Sequence, residues 1–336
     1  MGQPVLAEVT RAGRVESRHR GSVVVADARG KRALALGDVE AAVFPRSAIK
    51  ALQALPLVES GAADRAGLDA AELALACASH SGEPIHAAAA ASMLSKAGRD
   101  AHTLECGAHW PLGEASARQL ARDGKTPSAL HNNCSGKHAG FVCLACALGE
   151  DPKGYVGIDH RVQREVRRTL EEVTGVAIDL AQAGVDGCSI PTYALPLDSL
   201  ARAFAKFGSG EGLSKTRAQA SERLLKACAR HPQMVAGTGR FDTAAMGALG
   251  ERCFVKTGAE GVHCASFPEL GLGVAIKCED GAGRAADAMM AAVILRFLTL
   301  SDDERAGVEA LARKKLVNWN GMEVGEARAS AALAGA

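Results

Sequence analysis

The chain has 336 residues, with 39 Lys and Arg against 38 Asp and Glu, so it carries no net field that would hold nucleic acid or an anionic membrane. Hydrophobic residues make up 48% of it, enough for a sizeable core in one large domain or two, and the expected partner is a small neutral or zwitterionic molecule. The opening residues Met1-Gly2-Gln3-Pro4-Val5-Leu6-Ala7-Glu8 have neither the charged start nor the apolar stretch of an export signal, which predicts a cytoplasmic protein.

Along the chain, Val5 to Val9, Ser22 to Ala26 and Ala33 to Leu36 are short apolar or alternating runs. Ala12-Gly13-Arg14 and Arg29-Gly30-Lys31 separate them, the pattern of an antiparallel meander. Phe44-Pro45-Arg46-Ser47 then leads into a helix that starts at Ser47 and runs to Leu57. Ala70 to Ala78, Ile85 to Ala97, Arg161 to Val173 and Ala218 to Ala229 are rich in Ala, Leu, Arg and Glu and predict helices. Ala139 to Leu148 predicts a buried helix, and Cys143 and Cys146 inside it read as core thiols despite their C-x-x-C spacing. Cys253 to Lys256, Gly261 to Phe267 and Leu272 to Lys277 form a second group of strands. Met289 to Leu300, broken by Arg296, is shorter than the roughly 20 residues that cross a bilayer and predicts a buried helix. Ten cysteines scattered through a chain with no export signal predict reduced thiols.

Strands from both ends thus enclose a helical middle. The expected class is α/β (α+β), with one mixed sheet of N- and C-terminal strands flanked by helices and an inserted helical lobe. Residues 1–75 and 235–336 form the expected sheet domain and 76–234 the expected lobe, with the active site between them.

Two strings carry the chemistry. Ser47-Ala48-Ile49-Lys50 places an amine three residues from a hydroxyl, on the same side of a helix, and a hydroxyl becomes a useful nucleophile only when a neighbouring base takes its proton. By itself S-x-x-K arises about once by chance in a chain of this length, and helix capping explains Ser47 equally well. Lys256-Thr257-Gly258 changes that balance, because K-T-G on a strand facing an S-x-x-K helix is the signature of penicillin-binding proteins and class A β-lactamases. Cys77-Ala78-Ser79-His80-Ser81-Gly82-Glu83 adds a second serine, either a helix cap or the partner of Lys256. Two hydroxyl and amine couples, Ser47 with Lys50 and Ser79 with Lys256, would bring two lysines together, and burial with like charge lowers a lysine pKa from about 10.4. Better turnover in alkali is the expected consequence.

The loops His131 to Gly140 and Val185 to Pro191 are dense in polar, reactive residues. Cys134 and Cys188 are zinc-ligand candidates by type, although the spacing alone does not separate a metal site from buried thiols. His138 reads as a ligand, an acid or a structural residue.

Taken in order, Arg46 to Lys50, Cys77 to Ser81, Asn133 to His138, Asp186 to Cys188, Ala229 to Pro232, Met234 to Gly237 and Val255-Lys256 resemble the rhizobial-type (class 3, asparaginase II) L-asparaginases. The resemblance runs from about Arg14 to Asp280, and the tail beyond Val317 looks unlike the family. It implies a fold similar to serine β-lactamases and serine-dependent glutaminases, hydrolysis of L-asparagine to L-aspartate and ammonia, and a homodimer. It implies catalysis by Ser47, Lys50, Ser79 and Lys256, and zinc held by Cys134, Lys137 and Cys188. Asp186 would hold the substrate ammonium and Arg46 or His80 its carboxylate, with His138 a further substrate-side residue. A serine-dependent glutaminase or other acyl-serine amidohydrolase is one alternative, and a non-catalytic protein that binds zinc and an amino acid is another.

Overall fold

A computed structural model describes residues 2–335. The two groups of predicted strands join in one sheet of eight strands. Its order is Arg313–Val317, Glu323–Ala329, Val5–Arg11, Arg14–Asp27, Leu272–Cys278, Val262–Phe267 and Phe254–Thr257, with Arg32–Leu36 also paired to Arg14–Asp27. Every pair in it is antiparallel.

The strand Arg14–Asp27 is longer than the apolar run Ser22 to Ala26 suggested. Its first half alternates exposed and inward residues and pairs with Val5–Arg11. Its second half is buried on both faces, flanked by Leu272–Cys278 and Arg32–Leu36, so it reads as a continuous apolar run. The tail strands were missed for the opposite reason. Arg313-Lys314-Lys315-Leu316-Val317 is a mostly exposed, charged edge strand, a composition that discourages pairing with another chain and hides its extended character. Glu323–Ala329 lies against the first strand, with Ala7 opposite Ala329 and Val9 opposite Ala327.

The helix Gly283–Phe297 packs against Val5–Arg11, Leu272–Cys278 and Glu323–Ala329, and it contains the apolar run that predicted a buried helix as far as Phe297, ending before Leu300. The helix Leu197–Ser209, although it falls within residues 76–234, lies on the strands Arg14–Asp27, Val262–Phe267 and Leu272–Cys278. Gly273 permits that approach, since a Cβ there would sit 2.0 Å from the Ala201 carbonyl oxygen.

The helix Ser135–Ala147, buried over most of its length, packs against Pro84–Lys96, Ala62–Ala66, Ala70–Ala76, Leu55–Glu59 and Arg161–Thr174. A Cβ on Gly136 would meet the Leu75 carbonyl oxygen at 2.3 Å, so only glycine lets that helix begin where it does. Cys143 and Cys146 lie on this helix as free thiols, the other eight cysteines are free as well, and burial pushes the Cys143 thiol up to about 12. Among the described residues, no helix is long and apolar enough to cross a membrane.

Candidate active site

The predicted helix from Ser47 to Leu57 is broken into short turns, Arg46–Ile49, Lys50–Gln53 and Leu55–Glu59, with Pro56 in the last. This segment is nearly core: Ala48, Leu52 and Leu55 are fully buried, and each leucine contributes about 2 kcal/mol by leaving water. The K-T-G strand lies directly against it. A Cβ on Gly258 would stand 2.8 Å from the Pro45 carbonyl oxygen and 3.0 Å from the Ala48 Cβ, so the glycine allows the two motifs to touch.

Ser79 sits in an extended loop before the helix Pro84–Lys96, whose cap is Glu83, so it is no helix cap. Backbone bonds from Ser79 N to Val235 O (2.9 Å) and from His80 N to Asn133 O (3.1 Å), with Ser81 Oγ to Ala236 O (2.9 Å), fix it. Lys50 Nζ reaches this loop from the Ser47 turn. It donates to Ala78 O (2.6 Å), Ser79 Oγ (3.3 Å) and Asn133 O (3.5 Å), and lies 3.0 Å from Cys134 Sγ. Asn133 Nδ2 donates a second hydrogen bond to Ser79 Oγ at 3.2 Å.

Neither expected couple is joined by a hydrogen bond. The side chain of Lys50 is drawn inward to the carbonyls of Ala78 and Asn133, which leaves Ser47 Oγ without a hydrogen bond among the described residues and brings Lys50 to Ser79 instead. Lys256 Nζ lies 2.7 Å from Thr257 O and 3.4 Å from Asp242 Oδ2. Burial lowers the Lys256 pKa to about 8; Asp242 pulls it up, while Lys50 and Arg240 push it further down.

The two polar loops also meet. Lys137 Nζ is 3.1 Å from Cys188 Sγ, and the Cys134 and Cys188 thiols influence each other's protonation. The Cys134 thiol is held well below the usual range by the neighbouring Cys188, which with the charges of Lys50 and Lys137 outweighs burial. Cys188 is pushed up by Cys134 and by burial. Asp186 Oδ1 accepts from Arg46 Nε (2.5 Å) and Gly187 N (2.7 Å), which ties this loop to the residue beside Ser47. Arg46 holds a left-handed backbone, φ 51°, a conformation uncommon for a residue with a side chain and here adjacent to Ser47. Burial would raise the Asp186 pKa, yet Lys137 and Arg46 hold it below the ordinary carboxylate value.

The histidines are structural in their contacts. His80 is fully buried, with Nε2 2.9 Å from Ser135 Oγ and Nδ1 accepting from Gly82 N at 3.1 Å, so no ring nitrogen is left to pair with a substrate carboxylate. Its ring stacks on His86, and burial keeps it neutral. His138 bonds through Nδ1 to Tyr155 Oη at 2.7 Å and has a buried, unpartnered Nε2. Away from this region, His19, Cys278 and Asp280 lie together, but Asp280 accepts from His19 Nδ1 (2.6 Å) and Cys278 Sγ (3.0 Å), and these hydrogen bonds account for the grouping.

The family model for L-asparaginase II matches residues 7–329. The chain belongs to the L-asparaginase II family. That match extends through the tail strand Glu323–Ala329, so the tail is part of the family pattern, contrary to the expectation that it departs from it beyond Val317. No curated protein matches the chain. Among solved structures, the simvastatin synthase LovD from Aspergillus terreus, in the LovD6 mutant form, is similar at 11% identity and a TM-score of 0.40, covering 77% of this chain and 86% of that one. Family membership supports an enzyme of the hydrolase class acting on a small molecule.

Sequence reasoning assigned no role to two residues of this site. Asn133 was visible inside a polar loop, and only the fold shows that its amide meets Ser79. Asp242, in Arg240-Phe241-Asp242-Thr243, carries no motif, and its contact with Lys256 spans a helix and a strand.

Proposed function

We propose that this chain is an L-asparaginase that hydrolyses L-asparagine to L-aspartate and ammonia through an acyl-serine intermediate on Ser47. The observation that carries the reading is the difference between the two serines. Ser79 Oγ is tied to both Lys50 and Asn133 by hydrogen bonds, whereas Ser47 Oγ is half-buried with no such bond. Ser47 is the oxygen free to attack.

In this mechanism Ser47 Oγ bonds to the side-chain amide carbon as its proton passes through the Ser79 hydroxyl to Lys50. Lys256, neutral beforehand, takes that proton from Lys50 and delivers it to the amide nitrogen; the C–N bond breaks, ammonia leaves and both lysines are neutral again. Water then attacks the β-aspartyl ester and gives its proton to Lys50; the bond between Ser47 Oγ and the acyl carbon breaks, the proton returns through Ser79 to Ser47 Oγ, and L-aspartate leaves. The backbone N–H groups of Ser47 and Ala259, which donate to no group among the described residues, are the proposed oxyanion donors, since Gly258 N is committed to Val262 O. Asp186 would take the substrate ammonium through its second oxygen, and the remaining guanidinium N–H groups of Arg46 its carboxylate. His138, the histidine with a spare ring nitrogen, remains the substrate-side candidate of the two.

The residues Cys134, Lys137 and Cys188 fit a zinc ion by donor type and by proximity, being two sulfurs and an amine gathered in one buried place. Bound there, zinc would supply a fixed positive charge at the substrate end of the site. The family resemblance further implies a homodimer, which sedimentation would check.

Ammonia release measured with L-asparagine and with L-glutamine, each with and without chelator, tests the reading. Faster release from L-asparagine supports it. Preference for L-glutamine would make the chain a glutaminase, and release from neither would leave a zinc and amino-acid binder.

A further inference from the structure

Asp242 has no part in the chemistry above, yet its side chain is almost wholly buried. It stands in the first turn of the helix Phe241–Leu249, where a negative charge meets the positive end of the helix dipole. From there its carboxylate grips the K-T-G strand. Oδ2 lies 3.4 Å from Lys256 Nζ and 3.0 Å from Thr257 N, and Oδ1 lies 3.1 Å from Thr257 N and accepts from Thr257 Oγ1. The Thr257 carbonyl closes the ring by accepting from Lys256 Nζ. Among the described residues, Asp242 is the carboxylate paired with Lys256. A buried ammonium left among apolar groups would shed its proton or turn towards another acceptor.

We propose that Asp242 is a positioning residue for the hydrolysis: by clamping Lys256 and Thr257 to the helix Phe241–Leu249, it fixes the Lys256 amine on the strand that lies against the Ser47 turn. The inference rests on Lys256 taking part in the reaction.

The surroundings of Lys256 explain why one carboxylate matters. Asp242 and Arg240 face it from the helix, Lys50 from the Ser47 turn, His263 and Cys264 from the adjacent strand, and Cys228 from the helix Lys215–Arg230. His263 is buried and kept neutral by that burial, its pKa lowered to about 4. Its Nε2 lies 3.4 Å from Asp287 Oδ1, and neither ring nitrogen makes a hydrogen bond. Asp287 is itself pushed up to about 7 by burial and by Asp242, so neither group replaces the charge of Asp242.

Asp242→Asn keeps an oxygen for Thr257 N and removes the charge. We expect kcat for ammonia release from L-asparagine to fall about a hundred-fold. KM should stay within about three-fold. The rising alkaline limb of kcat should move to lower pH by about one unit or more, because Lys256 loses the group that retains its proton. Asp242→Glu, with the charge on a longer arm, should restore the limb and only part of kcat, an outcome that a merely structural role would not produce. Thermal unfolding of each variant is followed alongside. If the Asn variant does not fold, the Glu variant decides: unchanged kcat overturns the inference, and reduced kcat with an unmoved limb supports it. A folded Asn variant with wild-type kcat and limb also overturns it. Lys256→Met separates the two readings. Wild-type turnover in that variant sinks the role of Lys256 itself, whereas an inactive Met variant beside a wild-type Asn variant sinks the clamp alone.

Discussion

Lys50 and Lys256 are both completely buried amines, and the protein holds them in opposite ways. Lys50 is ringed by neutral or soft acceptors, the carbonyls of Ala78 and Asn133, the Ser79 hydroxyl and the Cys134 sulfur. Lys256 faces one carboxylate and one carbonyl. For Lys256 the proton is contested: burial and Lys50 push it off, Asp242 holds it, and the balance falls at about 8. One residue type therefore does two jobs. Lys50 is wired to the second hydroxyl, and Lys256 is poised to exchange a proton near neutral pH.

The largest effect should come from Lys50→Met, which removes the acceptor joined to Ser79. Turnover with L-asparagine should fall about ten-thousand-fold. Lys256→Met should cost about a hundred- to a thousand-fold. A Lys256 variant more damaged than the Lys50 variant would break the comparison, because the amine bonded to Ser79 would then not be the main base.

Stability should rank the two variants the other way. Losing Lys256 leaves Asp242 buried with its charge unpaired, at a cost of about 3–5 kcal/mol. Losing Lys50 leaves unpaired carbonyl oxygens at about 1–3 kcal/mol. Chemical denaturation of both variants checks the order, and equal losses would mean that the Asp242 charge is relieved elsewhere.

How much of this contrast was legible in the sequence depends on distance along the chain. Ser47 and Lys50 lie three residues apart, and K-T-G is a local string, so both could be read, the first on a helix that the fold breaks into short turns and the second on a strand. The cysteine loops could be read as reactive but not as adjacent, since Lys137 and Cys188 meet only after the intervening helices pack. The reach of Lys50 to Ser79 in place of Ser47 was not legible at all, because spacing says which face of a turn an amine leaves from and not which carbonyls draw it in. Asp242 was invisible for a related reason: an aspartate in a first helical turn is ordinarily a surface charge near a dipole, and nothing local marks this one as buried. In the fold, apolar runs announced the strands buried on both faces, while the charged edge strand Arg313–Val317 gave no such signal.

The pH dependence sharpens the contrast. If Lys256 must be neutral to take up a proton, activity is low below its pKa, where it is charged, and rises as the pH passes through about 8. A pH profile of kcat/KM measures this, and an acid optimum would exclude a lysine that works in its neutral form.

The smallest effects should appear at the cysteines, and unequally. Cys134 lies 3.0 Å from the Lys50 amine, so Cys134→Ser should lower kcat several-fold. Cys188 contacts Lys137 on the substrate side, so Cys188→Ser or chelation should raise KM by about ten-fold, equivalent to about 1.4 kcal/mol, with kcat little changed. Identical profiles for the two variants would show that the thiols act as one unit on catalysis.

The central claim is that a serine hydroxyl on the Ser47 turn attacks L-asparagine. Its most direct test is ammonia release from L-asparagine at mildly alkaline pH by the wild-type protein and by Ser47→Ala, with folding of the variant verified by circular dichroism. The account predicts steady release by the wild type and a loss of at least about ten-thousand-fold in the folded variant. Near-wild-type release by Ser47→Ala, or none by the wild type, would contradict it.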